Sequence, residues 1–92
     1  MSSRVMRGRE LVGINVKRLR IERDISQERL AFDSGVDRSY LGGVERGEEN
    51  PSIDILDRIA ATLSVHVSEL VKELPSDAKP PAGLKPGRKP SR

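Results

Sequence analysis

The sequence has no cysteine and no tryptophan, a single histidine, and only two aromatic residues, Phe32 and Tyr40. Without cysteine there can be no disulfide framework and no thiolate metal site, a composition that fits a reducing cytoplasm. His66 has no cluster of ligands around it, so it is read as structural and no metal is expected. The longest apolar run is far too short to cross a bilayer, so no membrane partner is expected. Met1 to Arg9 lacks the apolar stretch of a signal peptide. A Gly-rich phosphate loop and a nucleophile–histidine constellation are equally missing, so neither an enzyme nor a cofactor is expected. Two aromatics, with Phe32 assigned at least partly to the core, leave no stacking platform for single-stranded nucleic acid.

Ninety-two residues permit one domain. The net charge of +3 conceals an uneven distribution. Residues 1–9 carry three arginines and no acid, and residues 75–92 carry five basic side chains against Asp77. Between them, residues 10–74 hold 9 basic and 13 acidic side chains. An acidic middle argues against a broad DNA-coating surface, although it leaves room for a narrow basic edge. Residues 1–8 have no periodicity and read as a disordered basic arm, either a solvated leader or an arm touching phosphate or the minor groove. Residues 75–92, rich in proline, glycine and lysine, read as a disordered tail. The folded domain is therefore expected over 9–74, and its periodicities are all helical.

The most informative stretch is SQERLAFDSGVDRSYLGGVERG, Ser26 to Gly47. Ser26 is a helix N-cap residue and Gly35 a left-handed stop, while Asp37 caps a second helix that Gly47 ends. Leu30 and Ala31 turn inward, Val36 plugs the corner, and Leu41 and Val44 face the core. A small residue five places into the first helix, glycine at the ninth and apolar residues at the fifteenth and eighteenth form a helix-turn-helix signature. Upstream, Arg9 to Arg23 is a helix with Val12, Val16 and Leu19 inward and Lys17, Arg18 and Arg23 on its wet side. Downstream, Asn50-Pro51 interrupts the pattern. Ser52 then caps a helix whose inward stripe is Ile53, Leu56, Ile59, Ala60 and Leu63. Residues 64–74 read as a short fifth helix, with Val65 and Leu70 closing the core and Val67, Val71 and Leu74 left as an apolar edge.

The blocks LVGINVKRLRIERD, ISQERLA, VERGEENPS and IAATLSVHVSEL, in that order from Leu11 to Leu74, resemble the lambda-repressor/Cro-like (XRE) family of small DNA-binding regulators. The resemblance implies an all-α, compact five-helix domain. It also implies that Arg20 reaches Glu45 as a structural ion pair. Arg38, Ser39 and Gly42, with Gly43 beside them, occupy the positions whose counterparts face base edges in the major groove. Arg38 is the strongest base reader among them, because a guanidinium can bind guanine O6 and N7 together. Gln27 is either a DNA contact or an exposed polar residue of the first turn. Tyr40 either offers its hydroxyl to a phosphate or packs half-buried against the first helix. Arg46 is read as a phosphate contact. Two glycines inside a helix cost about 1 kcal/mol each relative to alanine, so Gly42-Gly43 implies a close approach to the backbone or local crowding near Val44. Relatives carry glycine at the positions of Asp24 and Ser64, so both corners are expected to be strained or loose.

The function expected is a sequence-specific, DNA-binding transcriptional regulator, similar to phage repressors and restriction–modification controller proteins. A thin core and a single recognition helix both favour a symmetric homodimer. Ile55, Val67, Val71 and Leu74 would be buried between the subunits, on an inverted-repeat operator. The setting expected is cytoplasmic, on the nucleoid. The acidic middle and the paired glycines keep a second function open, an antiactivator or antitoxin-type module whose partner is another protein.

Overall fold

The computed structural model describes residues 6–74. These form four α-helices, α1 (Gly8–Glu22), α2 (Gln27–Ser34), α3 (Arg38–Glu45) and α4 (Ile53–Thr62), and then a single 3-10 turn over Val67–Leu70. No strand is present among the described residues. The expected disordered arm and tail fall largely on 1–5 and 75–92, outside the described residues. The last residue of that arm, Gly8, already belongs to α1.

Local chemistry sets each boundary. Arg7 N–H donates to Glu10 Oε1 at 3.3 Å, so the first turn of α1 satisfies the residue that precedes it. Ser26 and Ser52 accept from Arg29 N and Ile55 N at 3.0 and 3.1 Å, closing the first turns of α2 and α4. Two chain reversals use left-handed glycine, Gly35 at φ 72° and Gly47 at φ 78°. Two others place Asp24 and Ser64 in that region, at φ 57° and 61°. Replacing either by glycine should raise stability by about 0.5–1 kcal/mol, the left-handed penalty less the entropy glycine loses on folding. Thermal denaturation checks this, and an unchanged Tm in both variants would mean the corners are unstrained.

The core joins Val12, Val16 and Leu19 of α1 to Leu30 and Ala31 of α2, Leu41 and Val44 of α3, and Leu56, Ile59 and Ala60 of α4. Val36, Leu63 and Leu70 close it. Two expected inward residues are outside. Ile53 is 66% exposed, because it opens α4 beside the cap and the buried stripe begins only at Leu56. Phe32 is 78% exposed, because α2 is a two-turn helix whose single inward face is already filled by Leu30, Ala31 and Ser34.

The expected fifth helix is also shorter than its pattern suggests. Asn15 is fully buried, and its Nδ2 donates to Leu70 O at 3.1 Å and to Lys72 O at 2.9 Å. Those are carbonyls that a continuing helix would spend on its own next turn. The chain after Leu70 is therefore strapped to α1 instead of coiling. Of the four residues expected at a dimer edge, Ile55 and Val67 are half-buried against this chain's own core, and Leu74 is half-buried. Val71 alone of the four is exposed, at 48%.

Candidate nucleic-acid interface

The two short helices are held at their junction from three sides. Asp37 Oδ2 accepts from Tyr40 N at 3.0 Å, so α3 starts on a carboxylate cap that also suits the positive end of the helix. Val36 N donates back to Ala31 O at 2.9 Å, completing the reversal at Gly35. From α4, Arg58 donates to Ser34 O at 3.1 Å and Gly35 O at 2.9 Å, taking up carbonyls that the end of α2 leaves free. From the other side α1 crosses α3 at Gly13. A Cβ built there would stand 2.6 Å from Val44 O and 2.7 Å from Glu45 O, so the helices meet backbone to backbone.

That crossing brings Arg20 under the end of α3. Arg20 Nε and Nη2 donate to Glu45 Oε2 and Oε1 at 2.7 and 3.0 Å, a two-pronged pair with side chains only 8% and 3% exposed. The remaining prong, Nη1, donates to Ile25 O at 2.9 Å and ties down the corner between α1 and α2. Glu45 Oε1 also accepts from Gln27 Nε2 at 3.0 Å, and Gln27 Oε1 accepts from Arg38 Nη1 at 3.1 Å. A continuous set of polar contacts thus runs from the buried pair to the exposed first turn of α3.

Arg38 and Ser39 are exposed side by side at that turn. Among the described residues no carboxylate lies within ion-pair distance of Arg38, so none of them neutralises its charge. Tyr40 is half-buried and packs against the core. Arg46 is exposed and pairs with Glu48 at 3.1 Å, an arrangement that a competing phosphate can displace at small cost.

Gly42 and Gly43, expected to face outward, are buried. A Cβ on Gly42 would stand 3.2 Å from Arg46 Nη1 and 3.7 Å from Gln27 Oε1. The absent side chain therefore makes room chiefly for Arg46, since Gln27 stands at ordinary contact distance. A Cβ on Gly43 would stand 2.8 Å from Glu49 Cγ, so the bare position admits the Glu49 side chain of the loop that follows α3.

Three residues that shape this region carry no warning in a motif. Gly13 and Arg58 act through contacts distant in sequence. Asn15 does leave a trace, as a polar residue lying on the Val12–Val16–Leu19 face of α1 where apolar residues belong. It also orients Arg18, whose Nη2 donates to Asn15 Oδ1 at 3.1 Å. Arg18 is thereby partly enclosed, not simply solvated as expected.

The helix-turn-helix family model (HTH_3) matches residues 16–70, and the chain belongs to this family, in its lambda-repressor/Cro-like (XRE) branch. It is 42% identical over 72 residues to the uncharacterised HTH-type transcriptional regulator y4dJ of Sinorhizobium fredii, a match covering 78% of this chain and 91% of that one. The restriction–modification controller protein C.AhdI of Aeromonas hydrophila is 44% identical and superposes with a TM-score of 0.66, over 67% of this chain and 94% of its own. SinR, the master regulator for biofilm formation, has been solved in complex with DNA. It matches at 39% identity and a TM-score of 0.64, over 66% of this chain and 98% of that one.

Proposed function

We propose that this protein is a sequence-specific DNA-binding transcriptional regulator that acts in the cytoplasm, on the nucleoid, as a homodimer bound to an inverted repeat. The observation that carries the reading is the exposed first turn of α3. Arg38 and Ser39 project there from a capped helix, with no carboxylate of the described residues within ion-pair distance of the guanidinium. A helix presented in this way fits the major groove, where Arg38 would bind guanine and Ser39 an adjoining base or phosphate. Arg46 and Tyr40 would contact phosphates along the same helix, and Gln27 flanks them from the start of α2. Regulators among the relatives, one of them solved with DNA, support the same reading.

Dimerisation would place two such helices about 34 Å apart, one turn of B-DNA. Val71 and Leu74, with the outer edges of Ile55 and Val67, would form the shared surface. Sedimentation at increasing concentration checks this part: a dimer is expected, and Val71→Asp should shift it toward monomer. A strict monomer at high concentration would contradict it.

Arg38→Ala should fold normally and lose roughly 1–3 kcal/mol of discrimination at one base pair per half-site. Quantitative binding to an operator and its single-base variants measures this, and an unchanged base preference would remove Arg38 from the readers. The second reading, a protein-binding antiactivator or antitoxin-type module, draws on the excess of acidic side chains over 10–74. A salt titration separates the two. A DNA reader loses affinity steeply as salt rises and prefers one sequence; uniformly weak DNA binding beside tight capture of a protein favours the second.

A further inference from the structure

The acidic excess over residues 10–74 reaches the candidate DNA face itself. Directly after α3 the chain reads Arg46-Gly47-Glu48-Glu49, so two acids follow the one arginine assigned to phosphate. The end of the helix fixes their places. Gly47 is left-handed at φ 78°, its N–H donates to Val44 O at 3.0 Å, and Glu48 N–H donates to Gly43 O at 2.9 Å. Together these bonds form a Schellman-type helix end, which folds the chain back on α3. Glu48 is thereby set beside Arg46, and its Oε1 lies 3.1 Å from Arg46 Nε. The same guanidinium rests against α3, with Nη1 3.2 Å from the point that a Cβ on Gly42 would occupy. The two side chains are 62% and 59% exposed, so the pair stands in solvent, open to a competing anion.

We propose that Glu48 is an internal competitor for phosphate: its carboxylate withholds Arg46 from the DNA backbone and so sets the level of sequence-independent affinity. The proposal rests on the reading of α3 as a DNA-reading helix and adds to it a residue that works against binding. A carboxylate and a phosphate ask the same of a guanidinium, its N–H groups and its positive charge. Before Arg46 can serve a duplex it must leave Glu48, and the released carboxylate then stays close to a phosphate of like charge. A phosphate contact carries no sequence information, so the loss falls on every duplex alike. A larger share of the binding free energy then comes from the first turn of α3. The neighbouring Glu49 is placed differently. Its side chain lies against the bare Gly43 and pairs with no basic side chain among the described residues.

The test measures affinity for a duplex selected from a random pool and for an unselected duplex of the same length, over a range of salt. Wild type is compared with Glu48→Gln, Arg46→Ala and the double variant. Glu49→Gln removes the same charge one residue further on and is the control for general electrostatics. Both glutamates lie on the loop between α3 and α4. Melting curves establish that each variant is folded.

Glu48→Gln should bind both duplexes about 2–5-fold more tightly per half-site, the value of an exposed ion pair read as affinity. Base preference should be unchanged. The slope of log affinity against log salt should steepen by up to about 0.9 for each Arg46 released. In the Arg46→Ala background the same change should gain little, and Glu49→Gln should gain less than Glu48→Gln. An equal gain with or without Arg46, an equal gain from Glu49→Gln, or no gain from Glu48→Gln would each overturn the proposal and leave the DNA-reading helix standing. An altered base preference in Glu48→Gln would do the same, because the residue would then act on readout. A wild-type protein that binds selected and unselected duplexes equally would instead remove the underlying reading, and the proposal with it.

Discussion

Arg20→Ala should destabilise the domain by about 3–5 kcal/mol, the range for removing one partner from a buried ion pair. The loss is large because Glu45 cannot follow its partner into solvent. Its side chain is 3% exposed and would keep only the N–H of Gln27. Arg20 also holds the carbonyl of Ile25, so the corner between α1 and α2 would loosen at the same time. In a domain of this size each kcal/mol moves Tm by roughly 4–8 °C, and the expected fall is therefore well over ten degrees. The double replacement Arg20→Met, Glu45→Met distinguishes the charge from the packing. It should recover much of the stability, because the stranded carboxylate is gone and the volume is kept. An Arg20→Ala variant that melts with wild type would mean that the pair is solvated and contributes nothing.

Gly13→Ala is the second large effect, and its sign is opposite to the helix propensity of the two residues. At an ordinary helical position the change gains up to about 1 kcal/mol. Here the new Cβ would lie 2.6–2.7 Å from the carbonyl oxygens of Val44 and Glu45, and a backbone cannot turn aside as a side chain can. The variant should lose about 1–3 kcal/mol, the usual range for an overfilled interior. It should also weaken DNA binding more than its lost stability explains, since the displaced segment is the end of α3 that carries Glu45. Gly8→Ala is the matched control: nothing among the described residues lies within 4 Å of a Cβ there, and no loss is expected. Equal melting of the two glycine variants would show that the α1–α3 crossing has slack.

The helix-turn-helix unit is legible in the sequence because most of what defines it is local. Ser26, Asp37, Gly35 and Gly47 act on backbone groups within a few residues of themselves, and the apolar spacing of Leu30, Leu41 and Val44 names one face of each helix. The same rules say where an apolar stripe lies but not how far a neighbouring element covers it. Ile53 and Phe32 therefore end outside, and the fifth helix shrinks to one turn once Asn15 takes its carbonyls. Features made between distant segments are the least legible. Arg58 holding the turn, Gly13 admitting α3 and the bridging amide of Gln27 each depend on a meeting that periodicity cannot place. Family resemblance pairs Arg20 with Glu45, but it does not reveal that Gln27 joins them to Arg38.

The most direct test of whether the first turn of α3 reads DNA is selection of bound duplexes from a random pool, run in parallel with wild type and Arg38→Ala. Wild type should enrich an inverted repeat whose half-sites are centred about one helical turn apart. Arg38→Ala should enrich the same repeat with one base pair of each half-site relaxed. A wild-type pool that stays random, or identical enriched sequences from the two proteins, would contradict the assignment of that turn.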